Sequence, residues 1–322
     1  MFTLPPRHAS GGGAPLSHPH LILHAMNERD RELRVARVLD VPLQEVSGIC
    51  VLRGGGDERL LVAVGDRESK VVCLPLSREG IESSRWEKFD LAGFGGSRGD
   101  EEDSQIEAVC ADGGRRILVL KEWPPLAGLF ELDTSRALSV IGLAVEGEDR
   151  IAESWADPEG SRGEGVLLLP GGHLLVAKEK GPAALIEFGP EGAKPRGLSR
   201  GGAMRDGERW QGPVEERTRF VALATWLPDK PLSKACEDFS DMEIGPDGRL
   251  YLLSDQSVSI ARIDDLTVGD PAARLTAWWR FGEHKGKPEG LAFTADGRAV
   301  VAIDKRKRTR NLVLLEPPIA VP

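Results

Sequence analysis

The sequence has little of several residue types that would point to a particular chemistry. Its 322 residues include four cysteines and one tyrosine, and the aromatic residues make up 5%. No two cysteines show the C-x-x-C spacing of zinc sites, which excludes the common structural zinc motifs. We interpret the cysteines as free and mostly buried thiols of a reducing compartment. They are Cys50, Cys73, Cys110 and Cys236.

Long apolar segments are also missing. The chain has no stretch of about 20 apolar residues, which a membrane-spanning helix would need. Residues 1–20 show no basic segment followed by an apolar one, so we expect a cytoplasmic protein without a membrane partner. The net charge of −9 would repel a nucleic-acid backbone, and we expect no nucleic-acid partner. We also expect a monomer, with the basic run at 305–310 as a solvated hairpin tip.

Glycine and proline, by contrast, are numerous and evenly spread, with 38 and 22 residues. This distribution indicates many turns rather than disorder. Five segments share one order: a short apolar strand, a turn rich in Gly and Asp, a second strand that ends at an acid, and a third apolar strand. Such turns join antiparallel strands. The five segments begin near residues 45, 103, 160, 238 and 287.

A fourth strand completes the first four segments, and its predicted positions are 84–91, 138–145, 219–227 and 273–281. The fifth segment has no strand after it, but the unassigned stretch 32–41 fits that role. Radial repetition of four-stranded sheets is typical of the β-propeller. We therefore predict an all-β fold, a five-bladed propeller of antiparallel blades closed by an N-terminal strand, with six blades as the alternative. Residues 1–30 would be a tail or extension, and 31–322 a single propeller domain.

Alignment of the five segments places one column of polar residues at the start of the first strand. These strands line the central channel of a propeller, so the column predicts a ring at one channel mouth. Its members are Ser47, Glu107, Glu164, Asp241 and Glu289.

Four carboxylates in a narrow channel repel one another and must be neutralised. Three interpretations remain open. A hard cation such as Ca²⁺ or Mg²⁺ could lie on the axis, since carboxylate and hydroxyl oxygens are its preferred ligands. Basic residues such as Lys121, Lys178 and Lys305 could pair with the acids instead. The ring could also be a catalytic site with a metal-activated water.

A second column of acids marks the point where each second strand enters its loop. An acid there can accept hydrogen bonds from loop backbone, or it can contribute to a ligand site. This column consists of Asp66, Glu122, Glu179, Asp255 and Asp304. The string GSRG occurs at 96–99 and again at 160–163, which predicts that two arginines approach the acidic mouth. The further candidate ligand-binding residues are Arg98, Arg162, Lys121, Lys178 and Trp123. Trp210, in a predicted loop, is a second candidate to wall a ligand pocket.

The strings IEAV, GEGV, KPEGLAF and AKEKGPAALIEF resemble the SdiA-regulated family of bacterial β-propellers. They are also similar to the esterase-like domain assigned to some phytases, which shares the E-G-[ILV] strand starts. The resemblance covers most of residues 40–318. It implies a propeller with a central acidic site for which calcium is a candidate occupant. Glu107, Glu164 and Glu289 match the motif position, Asp241 matches it more loosely, and Ser47 departs from it.

Taken together, these patterns predict a binding protein that takes a small molecule or a protein at the channel mouth. The first alternative is a metal-dependent hydrolase of phosphate or carboxyl esters, and the second is a structural interaction scaffold. Whether the protein is an enzyme stays open at this point, because one scaffold hosts many functions.

Overall fold

A computed structural model describes residues 32–53, 59–76, 81, 86–91, 94, 104–204, 207–213, 217–282 and 286–321. The predicted tail at 1–30 and the candidate ligand residue Arg98 lie outside these ranges. Strands make up most of the described chain, and neither described helix is long and apolar enough to cross a membrane.

The first eleven strands in chain order are β1 (Glu32–Leu39), β2 (Val46–Arg53), β3 (Arg59–Gly65), β4 (Glu68–Leu76), β5 (Glu87–Asp90), β6 (Ile106–Ala111), β7 (Arg116–Lys121), β8 (Leu126–Glu131), β9 (Arg136–Ala144), β10 (Gly163–Leu169) and β11 (His173–Lys178). The remaining ten are β12 (Ala184–Pro190), β13 (Arg217–Pro228), β14 (Asp241–Ile244), β15 (Leu250–Ser254), β16 (Ser259–Ile263), β17 (Ala272–Ala273), β18 (Leu275–Phe281), β19 (Lys287–Phe293), β20 (Ala299–Asp304) and β21 (Leu312–Glu316). The helices are α1 (Arg150–Ala156) and α2 (Lys230–Ala235).

Twenty of the 21 described strands form five four-stranded antiparallel units, and the short β17 pairs with β13. Strands β2 to β5 pair in order, as do β6 to β9 and β10 to β13; the fourth unit is β14, β15, β16 and β18. In the fifth unit, β19, β20 and β21 are joined by β1. The first strands of the units, here called the inner strands, contact one another in the closed order β2, β6, β10, β14, β19 and again β2. This arrangement is a β-propeller, and it confirms the predicted fold class.

The N-terminal strand closes the ring, as predicted. Strand β1 runs antiparallel to β21, with Val35 opposite Leu315 and Leu39 opposite Leu312. Just after β1, the buried side chain of Asn311 fastens the chain to the fifth unit. Its Oδ1 accepts the backbone N–H of Val41 at 2.7 Å, and its Nδ2 donates to the carbonyl oxygens of Val41 and Leu43.

Five apolar clusters fill the gaps between neighbouring units. In the layer between the first two units, for example, Leu52 of β2 packs with Val119 of β7 and Phe130 of β8. Middle strands such as β3, β7 and β11 are buried on both faces, so they contain nearly continuous apolar runs rather than strict alternation. Each unit therefore depends on both neighbours for its core.

Two segments that the turn pattern predicts as loops contain short helices. Helix α1 begins after Asp149, whose carboxylate accepts the N–H groups of Ile151 and Ala152 at 2.9 Å. Helix α2 begins after Asp229, which accepts the N–H of Leu232 at 2.8 Å. Acceptors of this kind satisfy the unpaired donors of a first helical turn. Neither helix is long enough to show a helical period in the sequence.

Candidate functional site

Four of the five inner strands contain a β-bulge close to their start. The pairing register shifts between Val46 and Gly48, and the same shift occurs at the corresponding positions of β6, β10 and β19. The residues that the strand pairing skips are Ser47, Glu107, Glu164 and Glu289. A bulge turns the extra side chain away from the regular alternation and is frequent next to functional sites. Four of the five members of the first predicted column therefore lie on bulges.

The glycine that follows the bulge has its own role. A Cβ atom on Gly165 would lie 2.9 Å from the backbone nitrogen of Met242, on the next inner strand. A Cβ on Gly48 would lie 2.9 Å from the Cα of Ala108 in the same way. Only glycine permits this close approach of two backbones. The E-G pair of the sequence motif thus combines an acid on a bulge with close packing of neighbouring inner strands.

Asp241 departs from its predicted place in the ring. Strand β14 has no bulge, and Asp241 stands opposite Leu253 in regular register, where the other inner strands have Gly or Ala. Its carboxylate accepts the N–H of Met242 at 2.8 Å and that of Leu291, on the next inner strand, at 2.6 Å. Burial raises the pKa of Asp241 well above its usual range, although both hydrogen bonds oppose this. The side chain links β14 to β19.

Glu164, in the third unit, is the acid of the bulge column with the most acidic neighbours acting on its pKa. Within the described part of the chain, its carboxylate has no hydrogen bond and no ion pair. Burial raises the pKa of Glu164 well above its usual range. The next contributions all come from neighbouring acids, which are Glu107, Glu122, Glu179 and Glu289. The geometry therefore crowds carboxylates around Glu164, and the Lys180 ammonium that also acts on it electrostatically is paired with Glu179.

Glu289 lies in a mixed environment. Burial is the main cause that raises the pKa of Glu289 to about 8, and Asp304 adds to it. Lys287 opposes the shift, with its Nζ 3.7 Å from Glu289 Oε1. Asp255 and Asp66 raise the pKa further. Three members of the second predicted column thus act on the ring electrostatically.

Two of the three basic residues expected to neutralise the ring donate to loop carbonyls. Lys178 Nζ donates to the carbonyl oxygens of Lys180 and Pro182, and burial lowers its pKa to about 8. Lys305 Nζ donates to the carbonyl of Arg310 at 2.6 Å. Both ammonium groups therefore stabilise their own loops, where several carbonyl oxygens converge. Lys121, the third candidate, is buried at the end of β7 opposite Ile106.

Arg162 and Trp123 also form a structural contact. The Arg162 guanidinium lies 4.3 Å from the centre of the Trp123 ring and donates to the carbonyls of Trp155, Asp157 and Gly160. It is 1% exposed, so it holds the chain after α1 rather than facing a ligand. Trp210 is buried as well, and its Nε1 donates to the carbonyl of His173 at 3.0 Å. The GSRG string and the predicted loop around Trp210 suggested ligand contacts. The sequence does not show that Arg162 and Trp210 donate to backbone carbonyls instead.

The second column joins the units to one another. Glu122 accepts the backbone N–H of Arg162, in the lead-in to the third unit, at 3.3 Å. The carbonyl of Asp66 accepts the N–H of Gln105 at 3.0 Å, and that of Glu179 accepts the N–H of Phe239 at 3.1 Å. Each of these bonds crosses to the following unit. Only the Glu122 contact uses the carboxylate, whereas Asp66 and Glu179 accept through their backbone carbonyls, so the interpretation of these two as loop-bonding acids stays a prediction.

One buried acid at this mouth was missed by the sequence reasoning. Asp238 is 0% exposed, and its Oδ1 accepts hydrogen bonds from Ser254 and Gln256. Its Oδ2 has no hydrogen-bond partner among the described residues. Burial raises the pKa of Asp238 and outweighs both hydrogen bonds. Because it precedes β14 outside both columns, alignment of the repeats gave no signal for it.

The acidic mouth is not a preformed metal centre. Across the described ranges, no group of three or more His, Cys, Asp or Glu side chains is arranged to hold a metal ion. Burial raises the pKa of Glu289 to about 8 and that of Glu164 well above its usual range, so the uncharged form of both carboxyls is favoured.

A cavity lies at the opposite mouth, where the inner strands end, and the repeat pattern gave no indication of it. Its volume is about 350 Å³, and its polar lining includes Arg53 and Glu243. In the sequence, only Glu243, a charged residue in the apolar string MEI, pointed to this cavity. Strand alternation alone does not predict that this residue lines a cavity.

Comparisons with known proteins return remote structural likenesses. No protein-family model and no curated protein matches the sequence. The glutaminyl cyclase of Myxococcus xanthus shares 12% identity over 89% of this chain and 96% of its own, with a TM-score of 0.49. The calcium-binding protein regucalcin from Agrobacterium tumefaciens shares 11% over 90% and 97%, with a TM-score of 0.46.

A protein of unknown function from Bacteroides caccae shares 16% identity over 77% of this chain, with a TM-score of 0.38. The match spans 66% of the length of that protein. At these TM-scores the likenesses carry no argument about function, and the fold assignment above stands on the strand pairing of this chain. The resemblance to the SdiA-regulated family stays a prediction.

Glu289→Gln is expected to remove part of the pH dependence of stability. A carboxyl that ionises near pH 4.5 when unfolded and near 8 when folded holds its proton longer in the native state. The free energy of unfolding therefore falls as the pH rises from about 4.5 to about 8. The variant should match the wild type at pH 4.5 and exceed it by on the order of 2–4 kcal/mol at pH 8.5.

Urea unfolding in EDTA at pH 4.5, 6.5 and 8.5 would measure this difference. Glu148→Gln, at an exposed glutamate in the second unit, is the matched control and should follow the wild type at every pH. A constant offset between Glu289→Gln and the wild type across the three pH values would contradict the assignment.

Proposed function

We propose that this protein is a non-catalytic binding propeller whose acidic mouth takes up a cation, with Ca²⁺ as the first candidate. The observation that carries the proposal is the environment of Glu164. Its carboxylate has four acidic neighbours and, in the described chain, no ion pair, although the Lys180 ammonium, which is paired with Glu179, acts on it electrostatically. A bound cation would offset this repulsion and take the place of the retained protons.

The ligand chemistry at the mouth supports a hard cation. The bulges bring carboxylates from three inner strands, at Glu107, Glu164 and Glu289. Ca²⁺ accepts carboxylate oxygens together with waters and tolerates irregular geometry, whereas Mg²⁺ needs a nearly ideal octahedron. Because the described acids do not form a ready cluster of three, waters would complete the coordination. We therefore expect weak binding, with a Kd of about 10⁻⁴–10⁻³ M.

Thermal unfolding at pH 7.5, in 1 mM EDTA or in about 10 mM CaCl₂, tests the proposal. A ligand that binds only the native state stabilises it by RT ln(1 + [L]/Kd), which gives about 1.4–2.7 kcal/mol here. The wild-type midpoint should rise by a few degrees. The double variant Glu164→Gln with Glu289→Gln should lose this response while remaining folded.

The matched control is Glu148→Gln with Glu191→Gln, since both of these glutamates are exposed. The control should keep the full calcium response. The proposal fails if calcium leaves the wild-type midpoint unchanged, or if the ring variant responds as strongly as the wild type. Calcium-dependent hydrolysis of p-nitrophenyl phosphate or acetate that disappears in Glu164→Gln would replace a binding role by a hydrolytic one.

A further inference from the structure

The cavity at the second mouth is built by every unit of the propeller. Its lining comes from the ends of all five inner strands, from the turn that follows β14, and from the loop between β12 and β13. The lining residues include Cys50, Arg53, Cys110, Leu168, Glu243 and Phe293. A volume of about 350 Å³ falls within the range of small-molecule pockets.

A segment of the third unit crosses this mouth and is fastened on both sides. We call residues 198–204 and 207–210 the strap. On the side of the fourth unit, Leu198 and Leu266 exchange backbone hydrogen bonds, and the N–H of Gly201 donates to the carbonyl of Gly248 at 2.9 Å.

On the other side, the strap is bonded to the second unit. The N–H of Gly113 donates to the carbonyl of Glu208 at 2.9 Å, and the N–H of Trp210 donates to Asp112 Oδ2 at 3.1 Å. Two lining residues of the strap, Ala203 and Met204, lie between these anchor points. Because both ends are tied, the wall of the cavity is formed before any ligand arrives.

The charged lining residues of the cavity are Arg53 and the acids Asp112, Glu208 and Glu243, of which Asp112 is already paired with Arg116. Glu243 Oε1 accepts the N–H of Ile244 at 2.8 Å, while its Oε2 has no donor among the described residues. Burial raises the pKa of Glu243 to about 7, and the Ile244 N–H and Arg53 partly oppose the shift. Arg53 lines the same cavity from β2. The rest of the wall includes the apolar side chains of Leu168 and Phe293.

We propose that this cavity binds a small molecule with a hydrogen-bond-donating nitrogen and a carboxylate on an apolar body, which is the chemistry of an amino acid or its N-acyl derivative. The free oxygen of Glu243 would accept from the nitrogen. The Arg53 guanidinium would receive the carboxylate, a pairing that favours arginine over other residues. The apolar wall would cover the side chain. The site lies at the opposite end of the inner strands from the acidic mouth and is independent of cation binding there.

A thermal-shift screen would use the twenty L-amino acids and their N-acetyl derivatives at 10 mM, in EDTA. At least one compound should raise the wild-type midpoint, and isothermal titration should then give its Kd. Glu243→Gln should raise the Kd of that compound at least tenfold. Arg53→Gln should raise this Kd to the same degree. The carboxamide analogue lacks the carboxylate, so Arg53→Gln should leave the Kd of that analogue within about twofold of the wild-type value.

Glu237→Gln is the matched control, because this glutamate is exposed and lies outside the cavity. It should keep the wild-type Kd. The proposal is overturned if no compound shifts the wild-type midpoint, or if Glu243→Gln and Arg53→Gln both retain the wild-type Kd while folded. The calcium response of the acidic mouth should be unchanged in both variants. A failure of the cavity proposal is therefore distinguishable from a failure of the calcium proposal.

Discussion

Asp112→Ala is expected to lower the free energy of unfolding by about 3–5 kcal/mol, the cost of breaking a buried ion pair. Asp112 and Arg116 form such a pair, with side chains 0% and 6% exposed. The carboxylate also accepts the N–H groups of Gly114 and Trp210. Its removal would leave a buried guanidinium and two backbone donors without this partner. Urea unfolding of the variant and the wild type would measure the loss.

The second unit supplies a matched control in Asp133→Ala. Asp133 pairs with Arg115 at 2.7 Å, but its side chain is 53% exposed, and solvent screens the pair. Its removal should change the free energy of unfolding by less than about 1 kcal/mol. Equal effects of the two substitutions would contradict the role assigned to Asp112. Since Asp112 anchors the strap, Asp112→Ala should also increase amide hydrogen exchange in residues 207–210.

Asn311→Ala is expected to cost about 3 kcal/mol, through loss of the contacts that fasten the chain after the closing strand. The amide side chain satisfies the N–H and carbonyl of Val41 and the carbonyl of Leu43, at 2.7, 3.1 and 3.2 Å. Asn311 is 0% exposed, so these groups would be left buried. Each unsatisfied buried group costs about 1–3 kcal/mol. Equilibrium unfolding would report the total loss.

Thr309→Ala, two residues away on the exposed tip of the same hairpin, is the control. It should remain within about 0.5 kcal/mol of the wild type. Hydrogen exchange should separate the two as well: protection of β1 should fall in Asn311→Ala and stay unchanged in Thr309→Ala. Unchanged protection of β1 in both variants would show that the strand pairing of β1 with β21 closes the ring without this side chain.

The E-G motif shows how one short pattern can carry both architecture and chemistry. Gly165 is required because the backbone of the next inner strand lies where a side chain would be. Glu164 stands on the bulge beside it and has no assigned structural partner in the described chain. The glycine is therefore explained by packing, whereas no hydrogen bond or ion pair among the described residues explains the acid. Ser47 occupies the same bulge in the first unit but donates to the carbonyl of Ile106, which is a structural contact.

Much of the architecture was determined by the sequence alone, because it depends on interactions between near neighbours. Turns rich in Gly and Asp, and apolar runs of strand length, specify hairpins within about 30 residues. Their five-fold recurrence predicts the units, and the missing outer strand of the fifth unit predicts the closure by β1. The bulged acids could also be aligned, since three of them share one spacing to the second column.

Only the tertiary structure decided which polar groups are free. Asp241 aligned with the ring, yet it bonds Leu291, which is 50 residues away in the sequence. Trp210 seemed available to a ligand, but its backbone is held by Asp112, 98 residues earlier. The cavity with Arg53 and Glu243 arises where strands from separate units end together. Such contacts depend on the closed ring, and no local pattern of residue types encodes the partner that a buried polar atom finds across it.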